Sequence, residues 1–456
     1  MFKKRAPSLP KVKINFRVTY TLVTAILILA TTYFAIQYAK GGYRLGQKGL
    51  MPESGLLSAN SFPPGAQVFI DDKLVTATDD TVYLEPGDYT IKIVKEGFSP
   101  WEKLLHMEKE HVVQTNAQLF PSAPGLTPLT FTGVENINTS PDGQKLVYYT
   151  ASASTKTKNG LYVLELNSSF IPLQKGPKQI AEDNQIFDLA NAHFIWSPDS
   201  AELMVLSENR EVLIDISKKN ILGEQPDITY QKKQILSIWE EEMYLKERQF
   251  LAEFPEEIIE IATQSAKNAY ISPDKKRLLY TATEDILLPE NIVPPLPGSN
   301  TQVQERLLKK NSIYIYDREE DTNFKIAYEG DQESELEKHL LAQYLYNKTP
   351  LTLESSPSAF TKLQATQSAQ LAMNFDTYHT SLNINTLQWY TDSKHLMFVK
   401  NNNIHIMEYD GTNNTSVYSG PFFDNFIYPW PDGSRVIILT SFSPDAPKNL
   451  YAIELK

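Results

Sequence analysis

Five times in the C-terminal two-thirds of the chain a tight polar turn carrying an Asp is followed by a short apolar run. Thr139-Ser140-Pro141-Asp142-Gly143 precedes Lys145-Leu146-Val147-Tyr148-Tyr149, and Trp196-Ser197-Pro198-Asp199-Ser200 precedes Glu202-Leu203-Met204-Val205-Leu206. Ile271-Ser272-Pro273-Asp274 leads to Arg277-Leu278-Leu279-Tyr280, and Trp389-Tyr390-Thr391-Asp392-Ser393 to His395-Leu396-Met397-Phe398-Val399. Trp430-Pro431-Asp432-Gly433 leads to Arg435-Val436-Ile437-Ile438-Leu439. A second strand-like run follows each, as in Leu161-Tyr162-Val163-Leu164-Glu165-Leu166 or Ser312-Ile313-Tyr314-Ile315-Tyr316-Asp317. Such a unit makes one small sheet that cannot bury both faces alone, so copies must stack side by side, as propeller blades do. In the turn, Pro pre-sets φ and the Asp carboxylate accepts backbone N–H bonds.

The spacing of the units is uneven. Successive turn Asp residues (142, 199, 274, 392, 432) are 57, 75, 118 and 40 apart. Only the last interval approaches an undecorated blade of about 40–45 residues. Over 232–263, Ile235, Leu236, Trp239, Met243, Phe250 and Phe254 among many charges predict an amphipathic helix, with Pro255 opening a second short one. Residues 287–300 form a Pro-rich loop, and 331–385 hold a helix (Leu336, Leu340, Leu341, Tyr344, Leu345) with room for a degenerate blade. Five blades are visible and six is the alternative. The last blade lacks an outer strand, so Thr127-Pro128-Leu129-Thr130-Phe131 is expected to pair with it and close the ring. These repeats resemble those of the TolB-type periplasmic propellers, whose blades carry a similar Ser-Pro-Asp-Gly turn. The resemblance covers roughly 128–456 and implies an architecture rather than a function.

The formal charge of -12 is unevenly spread: the first 17 residues carry six positive side chains (Lys3, Lys4, Arg5, Lys11, Lys13, Arg17) and no acid. The remainder has 37 basic against 55 acidic residues, a poor surface for nucleic acid. The basic tail alone reads as a nucleic-acid arm, but its neighbour argues otherwise. Val18 to Ala39 is 22 residues without a charge. As a helix it reaches roughly 33 Å, enough for a hydrocarbon core of about 30 Å. Thr19, Thr21, Thr24, Thr31 and Thr32 lower its hydrophobicity but can return their hydroxyls to the backbone, and Tyr20, Tyr33 and Tyr38 lie near its ends. A buried core helix is seldom apolar on every face for six turns, and a cleaved signal peptide has a shorter apolar region. An uncleaved anchor through 18–39 is therefore expected, with 1–17 cytoplasmic and everything after residue 40 outside, because Lys40, Arg44 and Lys48 are fewer than the charges before it.

Residues 40–55 read as a Gly- and Pro-containing stalk. From 56 to 121 the pattern alternates: Ala66-Gln67-Val68-Phe69-Ile70, a turn at Asp71-Asp72-Lys73, Val82-Tyr83-Leu84, then Tyr89-Thr90-Ile91-Lys92-Ile93-Val94-Lys95. A last strand runs near Val112 to Leu119, giving four to six short strands in a small β-sandwich. This segment resembles a PEGA domain. Pro63-Pro64-Gly65-Ala66 stands where the family has its eponymous tetrapeptide, and Leu84-Glu85-Pro86-Gly87-Asp88-Tyr89 and Lys95-Glu96-Gly97-Phe98 follow its later turns in order. Pro64 in place of the acid and Asp72 in place of a hairpin Gly are departures. The resemblance implies a non-catalytic surface module. Residues 122–127 are a linker by composition.

Chemistry is sparse. With no Cys there is no disulfide, thiolate site or cysteine nucleophile, which leaves the compartment open. His106 and His111 flank Glu108 and Glu110, but their spacing is five rather than the helical four of a zinc peptidase, and a solvated turn explains them better. His395 and His405 fall on adjacent strands. No Gly-x-Ser-x-Gly elbow, Gly-x-Gly-x-x-Gly or phosphate loop occurs. The repeated Asp residues supply one or two acids per unit, whereas Ca²⁺ takes six to eight oxygens, so turn capping is the reading. Trp239-Glu240-Glu241-Glu242 and 331–337 are acidic helix faces, or a surface for a basic partner. No catalytic, cofactor-binding or metal-ligating residue is singled out.

The sequence therefore predicts an all-β body: a PEGA-like sandwich over 56–121 and a five- or six-bladed propeller with helical insertions over 128–456, preceded by one transmembrane helix. The expected function is non-catalytic binding or scaffolding in the cell envelope, with the lipid bilayer and an envelope protein or surface polymer as partners and no nucleic acid. The alternatives are a propeller hydrolase with its site at the central channel and an accessory subunit of an envelope complex.

Overall fold

The computed structural model describes residues 16–39, 45–46, 49–50, 54–166, 176–208, 210–294, 300–327, 387–423 and 426–456. Strands dominate, as expected of an all-β chain. The run at 18–39 is helical: α1 spans Phe16–Ala39, and the Thr24 and Thr31 hydroxyls donate to the carbonyls of Tyr20 and Leu27 at 2.8 Å. Its side chains from Tyr20 to Ile36 are mostly exposed, Leu22, Ile26, Leu27 and Leu29 among them. Among the described residues no helix is long and apolar enough to cross a membrane, so the expected transmembrane helix is not shown. The expected basic tail falls almost wholly outside the described residues. Of the stalk, β1 (Leu45–Gly46) and β2 (Gly49–Leu50) pair as a short hairpin.

The sandwich contains β3 (Gly55–Ala59), β4 (Ser61–Phe62), β5 (Gln67–Ile70), β6 (Lys73–Ala77), β7 (Asp80–Leu84), β8 (Gly87–Val94), β9 (Trp101–Met107), β10 (Val112–Gln114) and β11 (Ala117–Gln118). Two sheets, ordered β10-β3-β7 and β6-β5-β8-β9, enclose Leu57, Val68, Ile91, Ile93, Trp101 and Met107. The strands outnumber the expected four to six because pieces as short as β4 and β11 leave no periodic pattern. Asp71 and Asp72 sit at φ 46° and 62°, the geometry of a two-residue hairpin turn. The Asp71 carboxylate accepts the Thr90 N–H at 3.0 Å, which ties the turn to β8.

After β12 (Leu126–Pro128) come five sheets, each begun by one of the repeated units. Sheet one holds β13 (Glu135–Thr139), β14 (Lys145–Thr150), β15 (Gly160–Glu165) and β16 (Lys178–Glu182). Sheet two has three strands, β17 (His193–Trp196), β18 (Glu202–Leu206) and β19 (Glu211–Asp215), and the helices α2 (Lys232–Leu251) and α3 (Glu256–Glu260) follow it as predicted. Sheet three is β20 (Ala266–Ile271), β21 (Arg277–Ala282), β24 (Ile313–Asp317) and β25 (Thr322–Ile326), with the pair β22 (Ile286–Leu287) and β23 (Leu307–Leu308) inserted. Sheet four is β26 (Gln388–Trp389), β27 (His395–Lys400), β28 (Asn403–Glu408) and β29 (Thr415–Tyr418). Sheet five is β30 (Ile427–Pro429), β31 (Arg435–Thr440) and β32 (Asn449–Glu454), and β12 completes it from the other end of the chain. Leu126, Thr127 and Pro128 lie opposite Ile453, Ala452 and Tyr451, and the Leu129 N–H donates to Leu450 O at 2.8 Å. The predicted pairing of this segment with the last sheet is thus present.

Apolar clusters join neighbouring sheets. Val147 and Leu161 of sheet one meet Phe194 and Leu203 of sheet two, while Leu146 and Tyr148 meet Ile437 and Leu439 of sheet five. Sheet five meets sheet four through Val436, Ile438, Met397 and Ile404; sheet four meets sheet three through Leu396, Phe398, Ile315 and Phe324. Between sheets two and three the helices intervene. Met204 and Leu206 pack against Trp239 of α2, and Leu278 and Tyr280 pack against Phe254 and Ile258 at α3. No closed propeller sheet is found among the described residues, so the expected five- or six-bladed ring is not shown. The predicted helix and degenerate blade at 331–385 lie outside the described residues.

Candidate functional site

The repeated turns share one hydrogen-bond pattern. The Ser140 hydroxyl donates to Asp142 Oδ1 at 2.5 Å, Gln144 N–H donates to the same oxygen at 3.0 Å, and Lys145 N–H donates to Ser140 Oγ at 2.9 Å. Ser197 with Asp199 and Ser272 with Asp274 repeat it, and Asp392 and Asp432 likewise accept backbone N–H groups. These carboxylates cap turns, as read from the sequence. The turns also hold each other: Asp142 N–H donates to Ser200 Oγ, Asp274 N–H to Ser393 Oγ, and the Tyr390 hydroxyl to Gly433 O. Where the helices intervene, Lys246 of α2 donates to Pro198 O and the Lys275 ammonium lies 3.8 Å from the Phe250 ring centroid.

Sheets one, three, four and five bring their first strands or turns around a cavity of about 260 Å³. Tyr270, Trp389 and Tyr428 supply its aromatic wall, and Asp142 is the one carboxylate among its described lining residues. Trp389 is held by an indole N–H bond to Tyr270 O at 3.1 Å. Gln388 is only 9% exposed; its amide N–H reaches Ile427 O at 3.4 Å, while its Oε1 has no partner among the described residues. Thr391 Oγ1, also lining the cavity, is in the same condition. Elsewhere, a larger groove of about 910 Å³ runs between sheets one and five, walled by Val134, Ile137, Phe423, Phe426, Leu439 and Phe442.

The sandwich docks onto sheets three and four through its edge strand. β9 pairs only with β8, which leaves backbone groups along its outer side. Sheets three and four answer them in turn: Glu102 N–H donates to Asn413 Oδ1 at 2.9 Å, Gln302 Nε2 to Leu104 O at 2.7 Å, and His106 N–H to Thr301 Oγ1 at 3.1 Å. Between them Lys103, 8% exposed, bridges Glu408 and Asp410, and the Trp101 indole N–H donates to Glu408. Asn300 donates to Asp410 Oδ2 at 2.8 Å. Burial pulls the Lys103 ammonium down, but Glu408 and Asp410 outweigh it and hold the pKa above the ordinary lysine value. Burial pushes the Asp410 carboxyl up, and Lys103 with its hydrogen bonds more than reverses this. Phe120 completes the joint by entering the cluster of sheets four and five, edge-on to Tyr390 and His395. Sequence reading missed this seam entirely.

The histidines stay apart. His106 pairs with Asp88 and His111 with Glu108, both exposed; His395 is buried against Asp392 at 2.6 Å, and His405 bonds Asn414. His395 stands opposite Glu408 and His405 opposite Phe398, so their shared sheet does not bring them together. His339 and His379 lie outside the described residues. Among the described residues no group of three or more His, Asp or Glu is arranged to hold a metal ion.

Residues 54–123 match the PEGA domain family. The chain is also similar to solved structures: one assigned as TolB from Agrobacterium tumefaciens (13% identity, 70% of this chain and 78% of that one, TM-score 0.20), and TolB from Acinetobacter baumannii (12%, 81% and 61%, TM-score 0.20). An oligogalacturonate lyase from Vibrio parahaemolyticus follows (10%, 83% and 81%, TM-score 0.19). Likeness at these scores carries no argument about fold or activity. No curated protein matches the chain.

Proposed function

We propose that the chain is a non-catalytic binding and scaffold module of a cell envelope, its five sheets acting as propeller blades with α2 and α3 filling one gap. The observation that carries this reading is the buried seam at Lys103, which fixes the PEGA sandwich to the sheets as one body. A body so joined presents its cavities at a set distance and angle from the sandwich, as a scaffold must. The bilayer is the proposed holder. Consecutive positions Ile26, Leu27, Ile28 and Leu29 of α1 are all exposed, so its apolar surface covers more than one face, and basic residues precede it. An envelope protein or surface polymer is the proposed partner, whether the chain acts alone or as an accessory subunit; its net charge of -12 disfavours nucleic acid. A hydrolase at the channel would need paired acids, whereas the cavity there is lined by Asp142 alone among described carboxylates.

Liposome flotation tests the anchor. The full chain should float and resist alkaline carbonate, while a chain lacking residues 1–39 should stay at the bottom of the gradient. Flotation of the truncated chain, or carbonate release of the full one, would overturn the reading.

A further inference from the structure

We propose that the outer corner of sheets one and two is a binding surface for a linear polyanion of the cell surface. Three segments meet there: β16, the single helical turn Lys156–Lys158, and the turn 217–220 that follows β19. The Gln179 amide of β16 donates to Thr157 O at 3.1 Å and to Asn159 O at 3.0 Å. Lys178 donates to Ser217 O, and the Asn220 N–H to Ile180 O at 2.7 Å. The Tyr162 hydroxyl donates to Lys158 O at 2.6 Å; burial pushes its pKa up, and the charge of Lys219 nearby opposes this. The corner thus gathers Lys156, Lys158, Lys178, Lys218 and Lys219, all of them exposed.

Charge sets the sign of the partner. Lys218 pairs with Asp215 at 3.4 Å and Lys219 with Glu182, while Asp183 is taken by the Tyr149 hydroxyl at 3.2 Å. Five ammonium groups against two carboxylates make a positive patch on a body with 37 basic and 55 acidic residues beyond its tail. Surface character then selects the class. A stable protein interface has an apolar centre, whereas the exposed positions between these lysines are Thr155, Thr157 and Ser217. Single-stranded nucleic acid binds by stacking its bases on open aromatic rings, and the ring at this corner, Tyr162, is already stacked on Tyr148. Ammonium groups on flexible stems, with no arginine fork among them, suit a mobile chain of repeated anionic groups rather than one fixed geometry. The inference deepens the proposed binding role by naming the chemistry of the surface polymer, and it rests on that role for its setting. Failure of the flotation experiment would leave polyanion binding measurable, and failure of polyanion binding would leave the anchor intact.

The experiment titrates the full chain, in phosphatidylcholine nanodiscs, with fluorescently labelled inorganic polyphosphate and with alginate, a polyuronate. At least one should bind, and its affinity should fall about 20-fold between about 50 and 200 mM salt, as about three neutralised charges require. Lys156→Gln combined with Lys158→Gln should weaken binding about tenfold or more and flatten the salt slope by about 1.4. Glu182→Gln should strengthen binding, because Lys219 loses its competing carboxylate. Lys309→Gln combined with Lys310→Gln removes the same charge from exposed positions after β23 and should change affinity less than about twofold. The six positive charges before α1 add the same background to every variant. Binding confined to one polymer supports the proposal and identifies its anionic group as phosphate or carboxylate. The proposal is overturned if neither polymer binds in about 50 mM salt, or if the Lys156 and Lys158 double variant keeps the affinity and slope of the parent. It is also overturned if single-stranded DNA of equal charge binds more than about tenfold tighter than both polymers, since bases would then be read.

Discussion

The seams between sheets and the seam between sandwich and sheets are built from opposite chemistry. Where sheet five meets sheet one, Ile437, Leu439, Leu146 and Tyr148 pack without a polar atom among their side-chain tips save the Tyr148 hydroxyl. Where the sandwich meets sheets three and four, an ammonium sits between two carboxylates, and three amide groups of an edge strand find side-chain partners. Apolar contact is strong but non-directional, so it fixes that two sheets associate more firmly than it fixes their register. A buried charge tolerates one arrangement, because any other leaves it unpaired. The difference teaches how a two-part body acquires one shape: grease holds the sheets, and charge aims the sandwich.

The sharpest way to break that comparison is Lys103→Met. It leaves Glu408 and Asp410 buried without their cation, and a loss of about 3–5 kcal/mol follows. Adding Glu408→Gln and Asp410→Asn should restore most of it, as chemical denaturation would show. The same seam makes an acid prediction. Asp410 has its folded pKa below the ordinary 3.8, so its contribution is complete above that value and lost as pH falls through the lower folded pKa. Acid should therefore loosen the sandwich from the sheets before the sheets come apart, visible as two transitions. A single transition with Lys103→Met neutral would mean that the charges aim nothing. Ile437→Ala, by contrast, should cost about 3 kcal/mol through its cavity and leave the sandwich docked.

What could be read from sequence follows the range of the forces involved. The Ser-Pro-Asp turns were legible because Ser140, Asp142 and Lys145 satisfy each other within a few residues. α2 and α3 were legible from periodicity and Pro255, and β12 from the need to cover an edge. The PEGA turns were legible because glycines such as Gly65 and Gly97 hold positive φ. Lys103 was not legible. In Trp101-Glu102-Lys103 it reads as one more polar residue in an alternating strand, and its partner Asp410 is 307 positions away. Gln388 was invisible for the same reason: nothing next to it in the chain tells that it lines a cavity.

The helical gap between sheets two and three is a third kind of seam, and Glu247 of α2 probes it. Burial pushes this carboxyl up to about 7. A raised acid pKa means that the folded state holds its proton longer, so stability is full below about 4.5 and falls as pH rises through 7. Glu247→Gln should leave stability unchanged at pH 4 and raise it at pH 8 by about 2 kcal/mol, allowing for its partial exposure. Thermal melts at the two pH values check this, and equal effects at both would show that the helix face is wet.

The smallest effect belongs to the residue beside Lys103. Glu102 lies opposite Lys92 across β8 and β9 at 3.1 Å, with side chains 52% and 39% exposed. An ion pair in water gains little, because solvent screens it and two long side chains must be ordered, so Glu102→Gln should change stability by less than about 0.5 kcal/mol. The substitution spares the Glu102 N–H bond to Asn413, since that bond uses the backbone. Glu102 and Lys103 therefore share a strand, a seam and nearly a position, and differ in the sign of their charge and in which way the side chain faces. A double-mutant cycle on Lys92 and Glu102, set beside the Lys103 variants, isolates burial as the variable. If the exposed pair proved as strong as the buried one, charge count rather than burial would govern the seam.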